Sequence, residues 1–383
     1  MTTKDSELSL AEVPHDEVWH QSAWRSSIRR NLLAWFRSNA RQLPWRSKPT
    51  PYRVWVSEIM LQQTQVATVL PFYARFLKSF PSVKSLAAAD EQDLLNHWEG
   101  LGYYRRARSM HAAAKMIVDQ HGGRFPESFE DVLNLPGIGR YTAGAVLSIS
   151  RDQRLPILEG NTQRVFSRWV SMRSPPMDSK PNRLLWEIAE AMLPRKEPGN
   201  FNQAAMELGA LICTPKNPNC DQCPVRRQCR AHRDGLEQEI PGKVSKTKYE
   251  DRREFAMVIP STRGKQTMRY LLRPLPKGGR WAGLWDFPRT TEVAVSSAEA
   301  AASELSHAVG ATICSGLRLT SIRHAVTKYR ISLDVHMATI EKGRTKSPWR
   351  YVSLEEMKEL PMSVSGRKIA TLLAENNQPT LPF

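Results

Sequence analysis

Leu135-Pro136-Gly137-Ile138-Gly139-Arg140 lies between two stretches of helical periodicity, Glu127–Asn134 and Tyr141–Ile149. Two glycines in a tight turn at a helix N-terminus expose backbone N–H groups and let a phosphate approach closely. Such an element grips a nucleic-acid backbone without reading its sequence. Taken alone it also fits a plain helix–helix turn. Outward from it, between Ile28 and about Arg230, apolar residues recur three or four apart, with Pro or Gly between segments. Leu86–Trp98, Ala107–Gln120, Leu184–Leu193 and Phe201–Ile212 show the helical pattern best, and β-branched runs are scarce. This predicts a nearly all-α region.

About 75 residues beyond the turn, Cys213, Cys220, Cys223 and Cys229 follow one another with the spacing C-x6-C-x2-C-x5-C. With no secretory signal on the chain, four thiols this close read as a closed metal site and not as disulfides. The choice lies between structural zinc and a 4Fe–4S cluster. Zinc usually takes two C-x2-C pairs; only one is present, which favours the cluster. Arg226, Arg227 and Arg230 surround the loop, either offsetting cluster charge, contacting phosphate or forming a solvated basic face. Cys314 stands apart and reads as a small buried hydrophobe.

Residues 1–22 read as an acidic, mobile tail and 233–250 as a linker, broken by Gly235, Pro241 and Gly242. Beyond the linker the texture changes. Phe255–Ile259, Arg269–Arg273 and Ile331–His336 look like strands and Ser297–Val309 like a helix, so 251–375 is expected to be an α+β domain, followed by a tail at 376–383. The helical domain is expected to span 23–232. The chain has 383 residues, 41% hydrophobic and 24% charged, a composition that excludes wholesale disorder. Its net charge is +17, of which 241–280 contributes +8 (11 basic and 3 acidic residues), so a polyanion is the first partner to suspect. No apolar run approaches the roughly 20 residues that span a bilayer. The acidic N-terminus resembles neither a secretory signal nor a transit peptide, so an intracellular location is expected, cytoplasmic and nucleoid-associated in a bacterium.

The helix-hairpin-helix element, a carboxylate-Gly-Asn segment and the four-cysteine loop together resemble the endonuclease III superfamily of DNA glycosylases. Leu43-Pro44-Trp45-Arg46, the run from Pro51 to Val66 containing Glu58 and Gln63, and Gly100-Leu101-Gly102-Tyr103-Tyr104 are similar to the adenine glycosylases of the MutY type. The resemblance runs from about Ala34 to Arg230 and continues more weakly to the C-terminus. It implies base excision repair: a monofunctional enzyme that flips adenine out of a mispair with 8-oxoguanine or guanine in double-stranded DNA and hydrolyses its glycosidic bond, as a monomer. It further implies a 4Fe–4S cluster on the four cysteines, no nucleotide cofactor, and phosphate contact at Gly137 and Gly139, with a monovalent cation there. Glu58 matches the family's acid, and its apolar neighbours are of the kind that raise a carboxyl pKa. Arg46, Tyr141, Asn161 and Gln203 are then base contacts, and Gln63 and Tyr103 fill the space beside the orphan 8-oxoguanine.

Two positions bear on the chemistry. The family's Asp-Gly-Asn is Glu159-Gly160-Asn161 here, and the extra methylene moves the carboxylate outward by about 1.3–1.5 Å on a fixed backbone. A misplacement near 1 Å can cost about a hundredfold in rate, so a catalytically impaired mismatch-binding protein is one alternative. Glu is a poorer N-cap than Asp, which argues against a purely capping role and for a working Glu159. Where bifunctional relatives carry a lysine that attacks the sugar, this chain has Tyr141, which cannot form an imine. A bifunctional lyase for oxidised pyrimidines is therefore the weaker alternative. The C-terminal region resembles the Nudix-like lesion-recognition domain of adenine glycosylases, with Arg280–Pro288 the strongest piece. In the R-E-x-x-E-E frame of Nudix hydrolases Ser303 falls at the Arg and His307-Ala308 at the two metal-binding acids, which implies no nucleotide hydrolysis. Val326-Thr327-Lys328 stands where the family commonly has Phe-Ser-His, leaving Thr327 to contact 8-oxoguanine and Lys328 to contact phosphate.

Overall fold

The computed structural model describes residues 13–243, 249–261, 268–276, 278–279, 281–290, 295–326 and 328–376. The chain divides into two compact units, 1–88 with 109–245, and 89–108 with 246–383. The first unit is helical. Its helices are α1 (Ser22–Asn39), α2 (Pro44–Ser47), α3 (Pro51–Leu61), α4 (Val66–Ser79), α5 (Val83–Ala87), most of α7 (Arg105–His121), α8 (Phe129–Leu133), α9 (Arg140–Arg151), α10 (Gly160–Trp169), α11 (Ser179–Met192), α12 (Pro198–Leu211) and α13 (Arg230–Arg233). α6 (Glu91–Trp98) belongs to the second unit. The stretch Leu86–Trp98 is thus two helices and not one. Asp90 separates them, its carboxylate accepting from Gln92 N at 2.7 Å and capping α6.

α12 is the axis of the helical unit and packs against α1, α9 and α10. Ile28, Leu32, Val165, Phe201, Ala204 and Leu208 fill the shared core. The acidic segment expected to be mobile is packed from Val13 onward: Val13, Val18 and Trp19 are buried, and Asp16 N–H donates to Val170 O at 2.7 Å. Three apolar side chains among the acids outweigh the polar composition; residues 1–12 lie outside the described set. The beginning of the expected linker is likewise packed, with Ile240 buried and its carbonyl accepting from Arg168 Nε at 2.9 Å.

The second unit joins two small sheets. β1 (Glu250–Val258) runs parallel to β5 (Tyr329–Gly343), which pairs antiparallel with β4 (Ala311–Val326). β2 (Arg269–Pro274) lies between β3 (Trp285–Asp286) and β6 (Arg350–Ser353). Helices α14 (Ala298–Val309), α15 (Leu354–Glu359) and α16 (Val364–Asn376) complete it. β4 has no clean two-residue alternation, because polar side chains occupy both faces and its register shifts three times against β5. Cys314, expected to be buried, is only half-buried on this strand. Residues 89–108 are tied into this unit by side chains. Arg367 makes twin bonds to Glu99 at 2.6 and 2.9 Å, and Trp285 Nε1 donates to Gln92 at 3.1 Å.

α10 and α12 approach closely because Gly209 has no side chain: a Cβ there meets Asn161 Cβ at 2.6 Å and its carbonyl oxygen at 3.2 Å. Gly209→Ala is expected to cost about 1–3 kcal/mol in urea unfolding, the usual penalty of overpacking. Gly160→Ala, where nothing lies within 4 Å of the new Cβ, is expected to be neutral or stabilising. Equal costs at the two positions would contradict this packing.

Candidate active site and cysteine centre

α3 starts at Pro51, capped by Thr50, and is apolar around most of its circumference: Tyr52, Val54, Trp55, Val56, Ile59 and Met60 are all buried. Glu58 is carried in with them and is only 6% exposed. Burial pushes its carboxyl up to about 7; a hydrogen bond from Tyr141 pulls it down and the charge of Glu159 pushes it up again. Tyr141 sits in the first turn of α9, and its Oη donates to Glu58 Oε2 at 2.5 Å. The same burial holds the phenol well above its ordinary pKa.

Glu58 opens on a cavity of about 790 Å³ in the helical unit, where Arg46, Gln63, Tyr141, Glu159, Asn161 and Gln203 also converge. Gln63 lies just past the end of α3 with φ of +56°, a left-handed backbone that few residues other than Gly adopt and that is frequent at functional sites. Arg46 is held from behind. It donates to Glu207 Oε2 at 2.9 Å and to Arg41 O at 3.1 Å, while Arg41 grips both oxygens of Glu207 at 2.8 Å. Burial opposes the Glu207 charge, but the bonds from Arg41 and Arg46 outweigh it and hold the carboxyl at about 2. Arg41 and Glu207 were missed from the sequence. The available signal was a lone acid inside the apolar helix Phe201–Ile212.

Glu159 is the N-cap of α10. Its Oε1 accepts from Thr162 N at 2.9 Å, and its Oε2 accepts from Asn161 N at 2.9 Å and Asn161 Nδ2 at 3.3 Å. This corrects the expectation that Glu would cap poorly. The added methylene lets the carboxylate reach back over the helix end, where Thr162 Oγ1 accepts from Glu159 N to close the reciprocal box. Burial raises the Glu159 pKa, against the lowering effect of these three donors. Asn161 Oδ1 accepts from Arg164 Nη2 at 2.8 Å, and Arg164 Nε donates to Cys213 O at 2.7 Å. A continuous hydrogen-bonded path therefore runs from the carboxylate to the cysteine loop.

At the hairpin, Gly137 has φ of +78°, and a Cβ there meets Ser109 Cβ at 2.5 Å. Gly139 is the N-cap of α9 and faces open space. The first turn of α9 thus presents N–H groups that no helical carbonyl takes. Tyr103 belongs to the second unit, is 54% exposed and has φ of +49°. There it lines a second cavity of about 430 Å³ with Tyr104, Trp281, His324, Val326 and Lys368. Thr327 lies outside the described residues. Lys328 lies 3.7 Å from Glu250.

Cys213, Cys220, Cys223 and Cys229 carry free thiols and line one small space. Burial pushes the Cys223 and Cys229 thiols up to about 12 and raises that of Cys220. Neutral thiols are poor ligands, and a cation that displaces their protons relieves the clash of four developing charges. Arg168, fully buried, donates to Cys213 Sγ at 3.2 Å and Thr214 O at 2.8 Å. Arg226 and Arg230 instead face Asp221 and Asp16, at 2.9 and 3.0 Å. Among the described residues a sulfur of Cys220, a ring nitrogen of His232 and a carboxylate oxygen of Glu237 lie within 4.8 Å of one another.

Residues 56–191 match the model of the HhH-GPD superfamily base excision DNA repair proteins, and 259–372 match that of the NUDIX domain. The chain is 32% identical to the adenine DNA glycosylase of Rattus norvegicus over 98% of its own length and 84% of the relative's. It is 31% identical to that of Homo sapiens over 94% and 76%, and 39% identical to that of Buchnera aphidicola (Schizaphis graminum) over 67% and 73%. A thermostable thymine-DNA glycosylase structure superimposes with a TM-score of 0.50 at 25% identity, covering 55% of this chain and 98% of the other. With both domain models matched and relatives aligned along nearly its whole length, the chain belongs to the adenine DNA glycosylase family of base excision repair enzymes.

Proposed function

We propose that this enzyme acts on double-stranded DNA as a monofunctional glycosylase, removing adenine mispaired with 8-oxoguanine or guanine. The observation that carries the reading is Glu58: a buried carboxyl with its pKa raised to about 7, opening on a cavity shared with a second carboxylate. Protonated Glu58 gives its proton to N7 of the extruded adenine. The C1′–N9 bond then breaks, its electron pair leaves with the base, and positive charge develops on the sugar. Glu159, fixed by three N–H donors, supplies the opposing negative charge. Water adds at C1′ and returns its proton to a carboxylate. Arg46, Tyr141 and Gln203 frame the base, and Gly137 and Gly139 receive the backbone phosphate, with a monovalent cation at the turn. The cavity lining includes no lysine among the described residues, and Tyr141 offers no amine for an imine. We further infer that the four cysteines hold a 4Fe–4S cluster, with Arg168 donating to one ligand sulfur. No helix among the described residues is long and apolar enough to cross a membrane, and the enzyme is read as an intracellular monomer.

One observation favours a second reading, binding without efficient chemistry: both oxygens of Glu159 are engaged by the helix end. Glu159→Asp separates the two. With the carboxylate already seated, single-turnover base release is expected to change less than about tenfold; a gain near a hundredfold would mark the native Glu as misplaced.

Glu58→Gln is expected to lower single-turnover release by at least about 10²-fold, the lower worth of a positioned general acid, while duplex affinity stays within a few-fold. Near-native rates would remove Glu58 from the acid role. Because the acid must be protonated, activity is expected below its pKa and lost as pH rises through about 7. The Tyr141 hydroxyl favours the ionised form, so Tyr141→Phe should move this basic limb to higher pH. An unchanged or lowered limb would contradict the coupling.

A further inference from the structure

Two side chains stand beside Cys220 that neither the cysteine spacing nor the helical core requires. A sulfur of Cys220, a ring nitrogen of His232 and a carboxylate oxygen of Glu237 all lie within 4.8 Å of one another. Both side chains line the same small space as the four cysteines. His232 Nδ1 and Glu237 Oε1 are 3.9 Å apart, too far for a hydrogen bond. Nδ1 of His232 and Oε2 of Glu237 are nevertheless closed off from solvent without a hydrogen-bond partner. Buried polar atoms in native folds are nearly always paired, so two orphans side by side call for an explanation.

The backbone holds them in place. α13 carries His232, and the turn that follows is closed by Leu236 N donating to Ala231 O at 2.7 Å and Ile240 N donating to Leu236 O at 3.0 Å. Arg168, which donates to Cys213 Sγ, also grips Ile240 O at 2.9 Å. The segment bearing the orphaned atoms is therefore fastened to the cysteine centre itself. Thiolate, imidazole and carboxylate are all competent iron ligands, and histidine replaces cysteine on one iron in some clusters.

Resting on the 4Fe–4S reading above, we propose that Cys220 is the exchangeable corner of the cluster and that His232 Nδ1 is its alternative ligand. In the exchange one Fe–S bond breaks and Cys220 leaves as a thiolate with its electron pair. One Fe–N bond forms from the Nδ1 lone pair of His232, and no electron changes hands. Glu237 stands as the neighbouring oxygen donor. The device lets one corner open without losing its iron.

The test uses full-length protein purified with its metal. Cys220→Ala is expected to keep most of its iron and visible absorbance, while Cys223→Ala and Cys229→Ala lose theirs. Adding His232→Ala to Cys220→Ala is expected to remove the iron. Pulsed EPR of reduced Cys220→Ala should show nitrogen coupling. Loss of iron from Cys220→Ala equal to that of the other cysteine variants, or retention in the double variant, would overturn the proposal. Should Cys220→Ala fail to fold, His232→Ala in the otherwise native chain decides: iron release into excess EDTA should be several-fold faster than from native protein, and an unchanged rate refutes the exchange. Metal analysis of native protein is independent, since zinc without iron and sulfide would overturn the cluster reading itself.

Discussion

A carboxyl group kept out of water is the constraint around which the helical unit is arranged. Glu58 cannot be excluded from solvent by its own preference; it is dragged in because α3 buries nearly every neighbour it has. The cost of ionising it there is what raises its pKa to about 7. Everything else in the cavity answers to that cost. Tyr141 supplies one donor, enough to keep the group titratable but not enough to restore an ordinary acid. Glu207, also buried, is held at about 2 by two arginines. Two glutamates in one cavity thus end far apart in acidity because one faces a phenol and the other a pair of guanidinium groups.

The second carboxylate is coupled to architecture as well as to chemistry. Glu159 ends the chain leading into α10, and its oxygens satisfy the helix's first N–H groups. From there Asn161 and Arg164 carry the hydrogen bonding to the carbonyl of Cys213. The cysteine loop is in this sense part of the scaffold that holds Glu159. Loosening the loop would release the end of α10 and with it the orientation of Glu159.

Much of this was legible in the sequence, for identifiable reasons. Apolar spacing located the long helices, and glycines at 137 and 139 marked the turn because a side chain at Gly137 has no room. The four cysteines stood out by type and spacing, and they line one small space. What stayed hidden depends on distance in the chain. Glu207 lies 161 residues from Arg46, so their pairing has no local signature. The capping by Glu159 ran against average preference because the longer side chain found a reciprocal partner in Thr162. Residues 13–20 looked like a tail because composition counts acids, while the fold counts Val13, Val18 and Trp19. β4 was missed because both its faces are largely polar.

The raised pKa of Glu58 underlies its assignment as the acid, and it can be read without any substrate. Infrared difference spectra of the native protein minus Glu58→Gln, recorded across pH, isolate the carboxyl stretch of this one group. A protonated carboxyl band that disappears with a midpoint near 7 is expected. A midpoint near 4.5, the ordinary value for a glutamate, would mean the group is solvated and would contradict its assignment as the acid.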